Sequence, residues 1–520
     1  MPATRNSKPA RTSKRPARGQ ASTGGWFAVV AVGLLLAAWS AGAAWFFSSR
    51  GYLLYYGDAE AHLNIARRIV DSRTPGYDQL GTVWLPLPHL LLLPFVKDDG
   101  LWRSGLAAVF PMGACFVIAG TFLFAATRRI FSSTAAAWTT LALFALNPNI
   151  LYLQSIAMSE MPAFACLTAL VYFAARFRDT QGTGALVGAG VAACLGTLCR
   201  YEGWFLLPFA ALYFLIVARQ KRVVTATIFC ALAALGPLYW FGHNWWLTSD
   251  PLSFYRGPWS ARAIQGKVDY PGNGNWLKAW DQFRAAAQLC SGPALPWMAL
   301  AGTVVALSRR AWWALVLLAL PGLFLVWSIH SSGTPIYVPH LWPNTWYNTR
   351  YGLAILPLMT LAAGALVLAA PQSARSGMAA LVILAGTIHW AVYPRPDTWI
   401  TWKESQVNSD ARRAWTREAA AYMAANYRPG SAIMTSFGDL TGVFRAAGIP
   451  LRETFTGDNG IPFDALLLRP DLHLRHEWAL VKGGDDVQTA IWKGPRFGKS
   501  YELVRQIVVK GAPVIEIYRR

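Results

Sequence analysis

Two uninterrupted apolar runs limit what this chain can fold into. Trp26–Phe47 and Trp312–Ile329 contain no charged side chain, and a run of roughly twenty such residues matches a helix crossing ~30 Å of hydrocarbon. Inside lipid every backbone N–H and C=O must be paired within the protein, so a continuous apolar run of this kind crosses as a helix. Composition repeats the message over the whole chain: 54% of the 520 residues are hydrophobic, only 14% are charged, and 25 are Trp. The expected fold class is a polytopic α-helical membrane protein.

A formal charge of +21 would suggest nucleic acid in a soluble protein. Its distribution points to a membrane instead. Met1–Gln20 carries Arg5, Lys8, Arg11, Lys14, Arg15 and Arg18 with no acid. The remaining clusters sit in short turns between apolar runs: Arg128–Arg129, Arg176/Arg178, Arg219/Lys221/Arg222, Arg309–Arg310 and Arg375. They fall on alternate connections, which is the positive-inside pattern. The partner implied is a lipid bilayer, not nucleic acid. The six cysteines (115, 166, 194, 199, 230 and 290) lie in or beside apolar runs and show neither a disulfide framework nor zinc-ligand spacing.

Eleven spans are expected, over 26–47, 104–125, 134–153, 160–175, 184–199, 203–218, 223–241, 293–307, 311–329, 351–369 and 377–393. A cytoplasmic N-terminus then puts every basic turn inside and the C-terminus outside, in a multi-pass protein of the cell (plasma or inner) membrane. Trp240, Trp245, Trp246, Trp297, Trp342 and Trp346 fall at the outer ends, as interfacial anchors do. Residues 1–43 also have the make-up of a signal peptide, with "SAGA" before Ala44, but the apolar run continues through Phe47 and favours an uncleaved anchor. "WLPLPHLLLLPFV" (Trp84–Val96) is too short and too rich in proline for a simple crossing, and reads as an interfacial or re-entrant piece.

The resulting organisation is a basic cytoplasmic tail (1–25), a transmembrane domain (26–394) with outer loops 48–101 and 242–291, and a small extracytoplasmic α/β domain (395–520). In the last, Ser409–Tyr427 reads as a helix with a Ser cap and an "RPG" stop. "SAIMTSF", "WALV", "YELVRQIVV" and "PVIEIY" read as strands, the last two joined around Lys510–Gly511.

Polar chemistry concentrates at a few span ends. "GDAEAHLNIARR" (Gly57–Arg68) puts Asp58, Glu60 and His62 within five positions. As a helix it sets Asp58, His62 and Ala66 on one face and Glu60 on another, with Leu63, Ala66, Ile69 and Val70 as an apolar stripe for the interface. A carboxylate there suits a general base, though a plain solvated face has the same periodicity. Glu160 opens a helix after Ser159, where an acid and a cap are ordinary features. In "CRYEGWFLLP", Arg200 ends one span and Glu202 begins the next, suited to the helix dipoles and to each other. Arg350, followed by Tyr351, differs: it stands at a helix N-terminus, where the dipole is already positive, so an anion is the natural third party unless the side chain merely snorkels. Apart from Asp58/His62, no pair among the eight histidines and their neighbours has metal-motif spacing. No cofactor is assigned, and a divalent metal is left open.

"YYGDAEAHLNIARRIVDSRTPGY", followed by the proline-interrupted "WLPLPHLL", resembles the first outer loop of GT-C glycosyltransferases, nearest to glycosyltransferase family 39, the protein mannosyltransferase and aminoarabinose transferase group. "NPNILYLQSIAMSEMPAFACL" and "RYGLAILP" are similar to later elements of that family. The resemblance extends in layout over about residues 20–370, carried by short motifs. It implies that Asp58 is the catalytic base, although the family's usual adjacent Glu is here Ala59, with Glu60 one place on. It implies Glu160 as a second catalytic carboxylate and Arg350 at the donor phosphate, and its motifs also take in Arg103, Arg200 and Glu202. Positive charge at the departing phosphate makes Arg103 and Arg256 further phosphate-binding candidates, with Glu60, His62, Arg200, Glu202 and Tyr351 as supporting candidates. The activity implied is inverting transfer of a hexosyl or pentosyl group from a polyprenyl-phosphate sugar to a protein, glycan or lipid acceptor on the outer side. The rival reading is a transporter or lipid flippase. Mid-span charges and a half-to-half repeat, its usual pointers, are not evident in the sequence.

Overall fold

The computed structural model describes residues 23–265, 269–393, 395–436, 438–494 and 500–520, so the basic stretch before Thr23 lies outside the described residues. A helix occupies each expected span. Among the described residues seven are long and apolar enough to cross a membrane: Phe27–Ser49, Leu106–Phe131, Glu160–Thr180, Arg222–Thr248, Trp312–Ser331, Thr349–Ala369 and Gln372–Val392. Thr134–Ala145, Thr183–Thr197 and Glu202–Val217 are shorter apolar helices, and Leu295–Ser308 is bent by 98° from the Trp276–Ser291 helix before it.

The expected 134–153 span is broken in two. Its first helix stops at Ala145 and a second runs over Pro148–Leu153, because Asn147 precedes a proline and is held extended, with its side chain accepting from the Asn149 N–H. "WLPLPHLL" forms the ten-residue helix Leu87–Val96. Of the expected Trp anchors, Trp245, Trp246, Trp297 and Trp342 are exposed, but Trp240 is fully buried, its ring stacked on His243 and its N–H donated to the Tyr201 hydroxyl.

The C-terminal segment is the expected mixed α/β unit. Its helix spans Ile400–Asn426 and begins nine residues before the expected Ser409 start. Ser409 is buried mid-helix, where its hydroxyl donates to the Gln406 carbonyl and caps nothing. Five strands, β1 (Ile433–Thr435), β2 (Thr454–Phe455), β3 (Trp478–Lys482), β4 (Glu502–Ile507) and β5 (Ile515–Arg519), form one sheet in the order β2-β1-β3-β5-β4. β1 runs parallel to β2 and β3, while β5 is antiparallel to β3 and β4. The two-residue β2 carries no strand signal of its own, since it is shorter than one period of alternation.

One apolar cluster joins the parts. It contains Leu63, Ala66, Val96 and Trp102 of the first loop, Phe116 and Phe144 of the membrane helices, and Trp415, Phe444 and Ile517 of the C-terminal segment. Among the helices, close approach depends on small residues. A Cβ on Gly302 would lie 1.9 Å from the Ala362 carbonyl oxygen, and one on Gly352 2.4 Å from the Ala286 backbone. Gly302→Val is expected to push these backbones apart at a cost of about 1–3 kcal/mol, read as a lowered unfolding midpoint of the detergent-solubilised protein.

Candidate active site

The Gly57–Arg68 helix begins with Asp58 and Glu60 in its first turn and ends with Arg67 and Arg68 in its last, complementing its dipole at both ends. Of the apolar stripe expected to face the interface, Leu63 and Ala66 pack into protein, whereas Ile69 is half-buried and Val70 is exposed. Ala59, Leu63 and Ala66 are sealed in the core, and eight of its twelve residues are buried. Full burial of Leu63 alone contributes about 1.5–3 kcal/mol. The helix therefore has fixed faces, and its polar residues point to different places.

Asp58 points to Arg350. The Arg350 guanidinium is buried and its donors are almost all engaged: Nη2 with Asp58 Oδ2 at 2.5 Å, Nε with Glu160 Oε1 at 3.0 Å, and Nη1 with the Tyr56 hydroxyl at 2.8 Å and Asn348 Oδ1 at 2.9 Å. The anion that the helix dipole demanded is thus supplied first by the protein's own carboxylates. Asp58 is the accessible member, its side chain 41% exposed against 5% for Arg350 and Glu160.

Arg200 joins the same network. Its Nη1 reaches Glu160 Oε1 at 3.1 Å and the Ser159 hydroxyl at 3.0 Å, and its Nε reaches Glu202 at 2.7 Å. Ser159 therefore receives an arginine and makes no cap bond to its helix. The Tyr351 ring packs between the two cations, 4.8 Å from Arg350 and 4.9 Å from Arg200.

Sequence reasoning missed Glu404. Its carboxylate accepts from the Asn348 N–H at 2.9 Å, the Thr349 N–H at 2.8 Å, and the Thr349 and Tyr56 hydroxyls, and it lies 3.9 Å from Arg350 Nη1. It fixes the turn that presents Arg350. The signal was a helical stripe, Ile400, Thr401, Glu404 and Ser405, with an acid on its buried face. Four carboxylates (Asp58, Glu160, Glu202, Glu404) thus face two guanidiniums in one network.

A cavity of about 530 Å³ opens over this cluster, lined on its polar side by Asp58, His62, Arg200, Glu202, Arg350 and Tyr351, a size typical of small-molecule sites. Its other wall is apolar, with Phe205, Phe324, Leu325 and Trp327. His62 is neutral: burial, with the charges of Arg350 and Arg200, pushes it down to about 3. The structure brings Asp58, His62, Glu160, Arg200, Glu202, Arg350 and Tyr351 together but not the other three expected residues. Arg103 is exposed, donates to the Arg445 carbonyl and does not line the cavity. Arg256 is exposed and also off the lining, where Arg262 of the same loop stands instead. Glu60 faces away, into Arg445 at 2.6 Å and Arg412 at 3.3 Å from the C-terminal segment. Among the described residues no group of three or more His, Cys, Asp or Glu is arranged to hold a metal ion.

A family model described as dolichyl-phosphate-mannose-protein mannosyltransferase matches residues 102–246, which include Glu160, Arg200 and Glu202 but neither Asp58 nor Arg350. No curated protein matches the chain in sequence. Two crystal structures of ArnT from Cupriavidus metallidurans share its fold. The one bound to undecaprenyl phosphate is 15% identical with a TM-score of 0.53, over 96% of this chain and 98% of that one. The apo structure is 14% identical with the same score and coverage. The resemblance read from the motifs is borne out: the chain has an ArnT-like GT-C fold.

Glu60 and Glu404 tie the C-terminal segment to the two ends of the Asp58–Arg350 contact. Glu60→Ala leaves the buried Arg445 without its carboxylate and removes the nearer of the two carboxylates beside the half-buried Arg412, and is expected to cost roughly 3–5 kcal/mol. Hydrogen exchange should show faster opening of Gly57–Arg68 than of the distant Trp312–Ser331 helix, with a lowered unfolding midpoint.

Proposed function

We propose that this GT-C-fold chain is an integral-membrane glycosyltransferase that moves a sugar from a polyprenyl-phosphate donor to an acceptor hydroxyl on the extracytoplasmic side, with inversion and with Asp58 as general base. The observation that carries the reading is the contact between the accessible carboxylate of Asp58 and the buried guanidinium of Arg350 at the floor of a half-apolar cavity. The family-model match and the ArnT structure bound to undecaprenyl phosphate support the donor class. Phe205, Phe324 and Trp327 offer the first prenyl units an apolar wall beside the charged floor.

In a single displacement the acceptor oxygen attacks the anomeric carbon while Asp58 takes its proton. The C–O bond to phosphate breaks, and its electron pair stays on the phosphate oxygen. A phosphodiester with one negative charge becomes a monoester that is mostly a dianion, because its second pKa is near 6. Asp58 loses a negative charge in the same step that the phosphate gains one. Arg350 Nη2, released from a protonated Asp58, is then free to donate to the departing phosphate. The guanidinium keeps the same number of acceptors throughout, and no general acid is needed. Glu160 and Glu404 hold Arg350 from behind during this exchange, and Arg262 is the further cation on the lining.

In proteoliposomes supplied with polyprenyl-phosphate sugars and membrane acceptors, Asp58→Asn should fold normally and lose transfer by roughly 10²–10⁴-fold. Wild-type transfer by the purified Asp58→Asn enzyme would sink the mechanism. Arg350→Lys keeps the charge but not the fork, and is expected to lower the transfer rate about 10²-fold, scored by mass spectrometry of released polyprenyl phosphate. A flippase would move the lipid with its sugar still attached.

A further inference from the structure

We infer that His62 reads the transferred sugar: its Nε2 forms a hydrogen bond with a hydroxyl of the sugar ring whose anomeric carbon is attacked beside Asp58. The inference rests on the glycosyltransferase reading above. It stands on the placement of one imidazole. His62 lines the cavity with only 7% of its surface exposed. Its Nδ1 is 2.8 Å from His89 Nε2, and His89 is completely buried behind it. Its Nε2 has no hydrogen-bond partner among the described residues, yet it is not one of the atoms sealed from solvent. A side chain more than nine-tenths buried thus holds one unspent polar atom, on a residue that borders the cavity.

The chemistry selects the partner. A neutral imidazole has one N–H and one lone pair. With Nδ1 shared with His89, Nε2 accepts if Nδ1 donates, and donates if Nδ1 accepts. A hydroxyl satisfies both cases, whereas a phosphate oxygen satisfies only one. Because burial and the nearby arginines keep His62 uncharged, it does not compete with Asp58 for the acceptor's proton. Distance assigns the hydroxyl to the sugar. Asp58 and His62 are four residues apart on one helix, a rise of about 6 Å, close to the width of a pyranose ring. A sugar with its anomeric carbon near Asp58 therefore extends its far hydroxyls towards His62. Trp84, which lines the cavity with its ring 4.3 Å from that of His62, supplies a flat apolar wall at the same end.

The test separates the two ring nitrogens. An Asn side chain places its amide nitrogen where Nδ1 was, and a Gln side chain places its own where Nε2 was. In proteoliposomes, His62→Asn should lower kcat/KM roughly threefold to tenfold, the loss of one neutral hydrogen bond, and His62→Gln should restore most of it. With donors lacking single hydroxyls, one deoxy sugar should erase the difference between wild type and His62→Asn, as coupled partners require. Equal defects for Asn and Gln across every donor, or no defect in His62→Asn, would overturn the inference. If wild type transfers nothing from a panel of farnesyl-phosphate mannose, glucose and arabinose, the glycosyltransferase reading fails. The ¹⁵N-histidine spectrum in nanodiscs with the same panel then decides His62, its signal assigned by its loss in His62→Asn. A shift on adding a sugar lipid supports sugar reading, and an unmoved signal overturns it.

Discussion

A buried guanidinium shared among several acceptors sets the terms for the rest of this molecule. Arg350 is held by Tyr56 and Asp58 from one stretch of chain, by Glu160 from a second, and by Asn348 from its own turn. A buried charge of this kind is stable only while its hydrogen-bonding donors stay matched, since removing one partner leaves an uncompensated ion in a low-dielectric setting. The helix packing that brings residues 56–58, 160 and 348–350 to one point is therefore as much a requirement of the ion network as its cause. The apolar cluster around it contributes bulk stabilisation, and the network contributes registry.

The C-terminal segment belongs to that registry. Glu404 closes the turn that carries Arg350. Arg412 and Arg445 hold Glu60, two residues from Asp58, and Arg452 meets Asp71 at 2.8 Å. Each is a contact between residues that are buried or nearly so on at least one side, where ion pairs are screened little by solvent. The unit following the last membrane helix thus braces both halves of the Asp58–Arg350 contact, which gives it a physical role in the site.

Much of this was legible along the chain. Apolar runs located the helices, and the period of Gly57–Arg68 correctly put Asp58 and His62 on one face and Glu60 on another. The dipole argument at Arg350 correctly demanded an anion. It failed to anticipate that Asp58 and Glu160, 292 and 190 residues away, would be the first to supply it. That step depends on how helices meet, and periodicity within one helix has no term for it. Glu404 was missed for the same reason, together with a helix start placed too late at Ser409. Arg103 and Arg256 were chosen by position in a motif or loop, and the side chain that lines the cavity, Arg262, lies six residues past Arg256, a shift no composition signal marks.

A cryo-EM structure with polyprenyl phosphate bound would test the proposed exchange of Arg350 from carboxylate to phosphate. The phosphate is expected within about 3 Å of the Arg350 guanidinium, on the Asp58 side, with the Asp58 bond lengthened or broken and the Glu160 bond kept. A phosphate lodged beyond reach of Arg350, with the Asp58–Arg350 contact intact at 2.5 Å, would contradict it.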